Sequence, residues 1–277
     1  MASKPDVNEM AGRFGVYGLV LLWLALWSAV VAWASGIGAA GVVRVVEVWV
    51  VHGWGTAVVL GAGWGLGWLL WSGLKRGERQ GGLGTALTWV LVWLTGIGVW
   101  LWGVGLLGRL GLLLPAVVWG WTAVGWLGVV GWVVRAGKRR GAGPTRPGSL
   151  SWPGALVGRV ACLGWLVPGV AVLMVAGAVA PGGLWAVDAF GYDVTSYKLQ
   201  LPREWVSDGW IGGYTHNVYG YLPSLMEGGF AGVGLLMGSV ESAAIACQGL
   251  HAAVAGLGAL AVGACVCDIA RKRDGLG

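Results

Sequence analysis

TALTWVLVWLTGIGVWLWGVGLL, residues Thr85 to Leu107, decides the fold. The run contains no Asp, Glu, Lys or Arg. As a helix its twenty-three residues rise about 35 Å, enough for the roughly 30 Å hydrocarbon core of a bilayer. Comparable runs lie at Phe14–Ser35, Val48–Trp71, Leu110–Val134, Val160–Ala180 and Ser242–Val266, about six in all. An open chain in lipid satisfies its own backbone only as a helix. The expectation is an all-α, multi-span membrane helix bundle with one structured outer loop carrying short surface helices. Composition agrees: 57% of the 277 residues are hydrophobic and 11% charged, against roughly 25% charged in soluble domains.

The segments between the runs set the organisation. Residues 1–134 hold the first four helices, 135–159 form a basic cytoplasmic loop rich in Gly and Pro, and 160–181 form the fifth helix. Residues 182–241 form the outer loop, and 242–277 the sixth helix with a basic tail. Ala32-Trp33-Ala34 looks like a cleavage site, but the run before it exceeds the 7–15 or so apolar residues of a signal peptide, so an uncleaved span is expected. With both termini in the cytoplasm, fourteen of the eighteen basic residues fall inside. That count requires the apolar run Leu222–Met237 not to cross, so it is read as a helix on the outer surface. The net charge of +6 arises from short clusters between apolar runs, which is a topology signal and excludes a nucleic-acid footprint. The location implied is the cell inner membrane, with membrane lipids as partners.

Two literal motifs carry no chemistry. Gly103-x-Gly105-x-x-Gly108 matches a dinucleotide-binding pattern, but it lies in an apolar helix with no strand before it. Gly61, Gly63, Gly65 and Gly67 give the small-residue spacing that lets helices approach closely in lipid. Cys162, Cys247, Cys265 and Cys267 have no companions spaced for a metal site and read as small buried hydrophobes. His52 reads as a structural histidine, and His251, on one helix face with Cys247 and Gln248, as an interhelical hydrogen-bonding group.

Acids, bases, amides, His and Tyr collect between Ala186 and Glu241. There Asp193 stands four residues before Tyr197, one helical turn. Pro202-Arg203-Glu204-Trp205 reads as a helix start, Gly209, Gly212 and Gly213 as its end, and His216-Asn217-Val218-Tyr219 follows before Pro223. Trp205, Trp210, Tyr219 and Tyr221 are expected at headgroup level as amphipathic anchors.

The order Asp193, Tyr197, Leu199, Pro202, Glu204-Trp205, Gly209, Ile211, His216-Asn217-Val218-Tyr219, Pro223 and Met226-Glu227 resembles the first large outer loop of bacterial membrane glycosyltransferases of the C-type fold. These are relatives of the dolichyl-phosphate-mannose protein mannosyltransferases and of the aminoarabinose transferases of lipid A. The resemblance covers about residues 186–255 and departs from the family pattern in two places: Lys198 stands where the family has His, and Val194 follows Asp193 where a second acid is common.

The resemblance implies sugar transfer from a polyprenyl-phosphate donor on the outer face. Asp193 would be the base that takes the acceptor's proton as its oxygen attacks the sugar. Lys198 and Arg203 would meet the departing phosphate, and Tyr197, His216, Asn217 and Tyr219 would bind substrate. It implies no cofactor, leaves a divalent metal open, and names a lipid-linked sugar donor as partner. Because such enzymes continue through further spans, the chain would be the front part of a transferase, inactive alone or completed by other membrane subunits or by a missing C-terminal part. The competing class is a non-enzymatic integral membrane protein or gene remnant, followed by a small transporter, which would need polar or discontinuous midplane helices, and the first four runs carry few such groups.

Overall fold

A computed structural model describes residues 38–74, 85–140, 198–221 and 224–273. The runs Phe14–Ser35 and Val160–Ala180, together with Asp193 and Tyr197, lie outside the described residues. The chain divides into two compact units, Met1–Val48 with Pro144–Ala178, and Trp49–Gly143 with Val179–Gly277. The second holds the helices below, apart from the part of the first, Gly38–His52, up to Val48.

The described residues are helical and contain no strand. The helices are α1 (Gly38–His52), α2 (Trp54–Leu74), α3 (Thr85–Arg109), α4 (Pro115–Arg140), α5 (Gln200–Asp208), α6 (Leu225–Met237) and α7 (Ala244–Arg273), with a 3₁₀ turn at Val218–Tyr221. Three of them, over Leu87–Arg109, Pro115–Gly137 and Ala244–Val266, are long and apolar enough to cross a membrane, and a fourth joins them if α1 and α2 count as one broken span. Thr85–Leu107 thus stands as one continuous helix, and the Gly103–Gly108 motif is helix interior. Pro115 opens α4, where its missing N–H costs nothing.

Lipid gives helices no hydrophobic reason to associate with one another, so close backbone approach and interhelical hydrogen bonds must hold the bundle. Both are present. A Cβ on Gly96 would land on the Gly63 carbonyl, one on Gly67 on the Val92 carbonyl, and one on Gly65 on the Gly125 carbonyl. These contacts set α2 antiparallel to α3 and parallel to α4. Trp100, fully buried, donates its indole N–H to Thr122 Oγ1 at 3.1 Å, and Thr122 donates to the Val118 carbonyl at 2.8 Å. The Trp121 indole reaches the Trp100 carbonyl at 3.2 Å, and Trp126 reaches Val58 at 3.2 Å. Thr56 Oγ1 donates to the Ala246 carbonyl at 2.8 Å, tying the start of α2 to the start of α7.

These registers bring the start of α2, the end of α3, the start of α4 and the start of α7 to one end of the bundle. α5, the 208–221 loop and α6 close that end. Two reciprocal backbone bonds, Ile211 N–H to the Gly108 carbonyl at 3.0 Å and Leu113 N–H to the Gly209 carbonyl at 3.1 Å, fasten the loop to the α3–α4 connection. The opposite end carries the C-termini of α4 and α7, with Arg135, Lys138, Arg139, Arg140, Arg271, Lys272 and Arg273 among their last residues.

α6 departs from the expected surface helix. Gly228 to Leu236 are all buried. Its glycines explain why: Gly229 lies against Leu101 and Gly232 against Val104 and Trp100, so a helix with no polar stripe packs into the bundle wall. Its thirteen residues rise only about 20 Å, short of a span, and Gly238, at φ 90°, ends it in the left-handed conformation.

Candidate functional site at the capped end

α5 is built as the sequence suggests. Pro202 lies in its first turn, Arg203 N–H bonds the Leu199 carbonyl at 3.1 Å, and Gly209, at φ 69°, ends it with Trp210 N–H on the Trp205 carbonyl at 3.2 Å. Leu201, Pro202 and Trp205 face the core. Trp205 is 0% exposed and donates its indole N–H to the Gly212 carbonyl at 2.9 Å. It is a core anchor for the loop, and the expected headgroup position fails for it; Trp210 and Tyr221 are exposed.

The polar face of α5 carries a connected chain of side chains. Arg203 forms an ion pair with Glu241, in the connection from α6 to α7, and donates to Gln200 Oε1 at 3.2 Å. Gln200 Nε2 donates to Glu204 Oε1 at 2.6 Å, and the same oxygen meets His216 Nε2 at 3.1 Å. Glu204 is 19% exposed and His216 61%. The other oxygen of Glu204, Oε2, is buried with no hydrogen-bond partner among the described residues. The His216 ring lies 5.2 Å from that of Tyr214, whose hydroxyl donates to Asp208 Oδ2 at 2.6 Å.

The electrostatics follow from these contacts. Burial, followed by the Asp208 hydrogen bond, raises the Tyr214 phenol well above its ordinary value. The Glu241 carboxyl is held low chiefly by its own backbone amide, against the opposing effect of burial, with smaller help from the charge and hydrogen bond of Arg203.

Of the residues singled out from sequence, Arg203 and His216 join one network through Gln200 and Glu204. Asn217 is buried and shapes the turn: its Oδ1 accepts Tyr219 N–H at 3.2 Å and its own N–H bonds the Tyr214 carbonyl at 3.2 Å. Tyr219 packs against the core. Lys198, half-buried, lies two residues before α5, and Asp193 and Tyr197 are outside the described residues. The network also holds Gln200, Glu204, Asp208, Tyr214 and Glu241, to which the sequence assigns no site role. The i, i+3, i+4 spacing of Gln200, Arg203 and Glu204 could have grouped those three, whereas no local signal links Arg203 to Glu241.

Other expectations divide. Cys247 is buried, its thiol 3.9 Å from the Phe230 carbonyl, but Cys265 and His251 are exposed on α7. Among the described residues no three His, Cys, Asp or Glu side chains gather as metal ligands.

The class defined so far is an α-helical protein with apolar helices long enough to cross a membrane and a polar cap over one bundle end. In comparisons with protein families, curated proteins and solved structures, none matches the chain.

Proposed function

We propose that this chain is a multi-span membrane protein without catalysis of its own, whose cap is a folded closure of the bundle's non-cytoplasmic end. One observation carries the reading. Arg203, the guanidinium that a lipid phosphate would need, already pairs with Glu241 and donates to Gln200. A phosphate there would compete with Glu241 for the guanidinium and bring that carboxylate beside a second anion. The orientation rests on the basic residues at the ends of α4 and α7, which the positive-inside rule places in the cytoplasm. Cysteine labels at Ser207 and Gly277 should report opposite sides of the membrane. Purified protein should neither bind nor turn over a radiolabelled polyprenyl-phosphate sugar, and transfer by the wild-type chain would remove the reading.

A second reading is glycosyl transfer from that donor on the outer face, with Asp193 as base. What favours it is Glu204, whose Oε1 meets His216 and whose buried Oε2 has no partner among the described residues, at the bundle end where a donor phosphate would lie. Under this reading Asp193→Asn abolishes transfer and leaves expression intact, and unchanged transfer sinks it.

A further inference from the structure

Four tryptophans from three helices meet far from the cap. Trp64 of α2 stacks on Trp89 of α3, with centroids 4.6 Å apart and planes 7° from parallel, and meets Trp93 and Trp132 edge-on at 5.9 Å each. With Leu257 of α7 they line an open groove of about 410 Å³, within the roughly 300–1,000 Å³ of small-molecule sites. Its walls are indole and aliphatic carbon, so a polar ligand would find nothing to bond inside it. Trp89 is the fifth residue of α3 and Trp132 lies eight residues before the last residue of α4, which puts the groove in the half of the bundle away from the cap.

That half is also where the charge lies. Arg135, exposed, is three residues beyond Trp132, so the two share one face of α4 at helical spacing, and Lys138, Arg139 and Arg140 follow it in the sequence of that helix. Arg135 sits about 5 Å along the axis from the tryptophan, the order of separation between the upper part of a lipid tail and its phosphate. Arg271, Lys272 and Arg273 close α7, the helix that contributes Leu257. Against seven basic residues in α4 and α7, these helices carry one acid, Asp268.

We infer that this groove is a binding site for an anionic phospholipid, with an acyl chain against the tryptophans and the phosphate at the basic end of α4, beside Arg135. The inference rests on the chain being a membrane protein but on neither reading of the cap. Zwitterionic lipid offers the same tail and no net charge, so the site discriminates by headgroup.

The test uses the full chain, purified in detergent with equimolar phosphatidylglycerol and phosphatidylcholine of identical acyl chains, and counts retained lipid by native mass spectrometry. The wild type should retain phosphatidylglycerol several-fold over phosphatidylcholine. Arg135→Ala with Arg139→Ala should lower phosphatidylglycerol retention roughly fivefold per charge, leaving phosphatidylcholine unchanged. Leu257→Trp, which fills the groove, should lower retention of both, and Arg109→Ala, at the capped end, should change neither. Equal retention of the two lipids by the wild type, or undiminished phosphatidylglycerol in the double-arginine variant, overturns the inference. Loss of every lipid from the wild type would instead count against membrane residence itself, and with it the site.

Discussion

Gly65→Ala is expected to be among the most damaging single-methyl additions in this bundle. A Cβ at Gly65 would land on the Gly125 carbonyl oxygen and stand 2.8 Å from both the Gly125 carbonyl carbon and Val129 N. From the other side, a Cβ on Gly128 would meet the backbone of Gly65. Backbone cannot rotate away as a side chain does, so α2 and α4 must move apart. Overpacking costs about 1–3 kcal/mol, and a rigid neighbour puts this case at the upper end. Separation also strains the Trp126 bond to the Val58 carbonyl, worth about 1 kcal/mol. Alanine's better helix propensity returns about 1 kcal/mol, leaving a net loss of about 2–3 kcal/mol. Gly120→Ala is the control: it lies in the same pair of helices' wall with nothing within 4 Å, so it should be neutral or gain up to about 1 kcal/mol. Unfolding followed by circular dichroism in mixed micelles, titrated with denaturing detergent, compares the two. Equal stability of Gly65→Ala and Gly120→Ala would refute the close-packed α2–α4 seam.

Trp205→Phe keeps the ring's bulk but leaves the Gly212 carbonyl without its donor, costing about 1–3 kcal/mol and opening the 208–221 loop to proteases before the helices unfold. Thr56→Val should cost about 1 kcal/mol by removing the bond to the Ala246 carbonyl, while Thr56→Ser should hold near wild type in the same denaturation assay. Glu241 has its folded pKa below the unfolded value, so its contribution is complete above the ordinary carboxyl range near 4.3 and is lost as pH falls through the folded value; Glu241→Gln should flatten that acid limb of a pH–stability curve. Tyr214 has its folded pKa raised, so its contribution is complete below about pH 10 and declines as pH rises above it; Tyr214→Phe should remove that alkaline decline.

What could be read from the sequence was whatever depends on one helix at a time. Thr85–Leu107 carries its own length, apolarity and lack of charge, and it forms α3; Pro202 and Gly209 carry the start and end of α5 in their own backbone constraints. The alternate glycines of α2 announced close packing because small residues serve that purpose in any helix pair, although nothing in them named Gly96 and Gly125 as partners. Leu222–Met237 misled for the same reason. Its hydrophobicity and shortness fit a surface helix as well as a buried half-length one, and only the facing residues Leu101, Val104 and Trp100 decide between them.

The cap shows where local reading ends. Arg203 looks, in its own neighbourhood, like a cation available for phosphate, because the nearest acid in sequence, Glu204, is adjacent and points its Oε1 to Gln200 and His216 instead. The carboxylate that takes Arg203 comes from the connection between α6 and α7, delivered there because buried α6 turns back at Gly238. A charge's role is therefore set by a helix whose path was itself misread, and correcting the path of α6 changes the chemistry assigned to Arg203. The same reasoning makes Glu241→Ala the most informative substitution in the cap. If the pair serves only to hold α5 to the start of α7, the variant loses stability and gains no ligand. If Arg203 is a phosphate site held closed, the variant frees it, and the protein should then bind a polyprenyl phosphate that the wild type ignores.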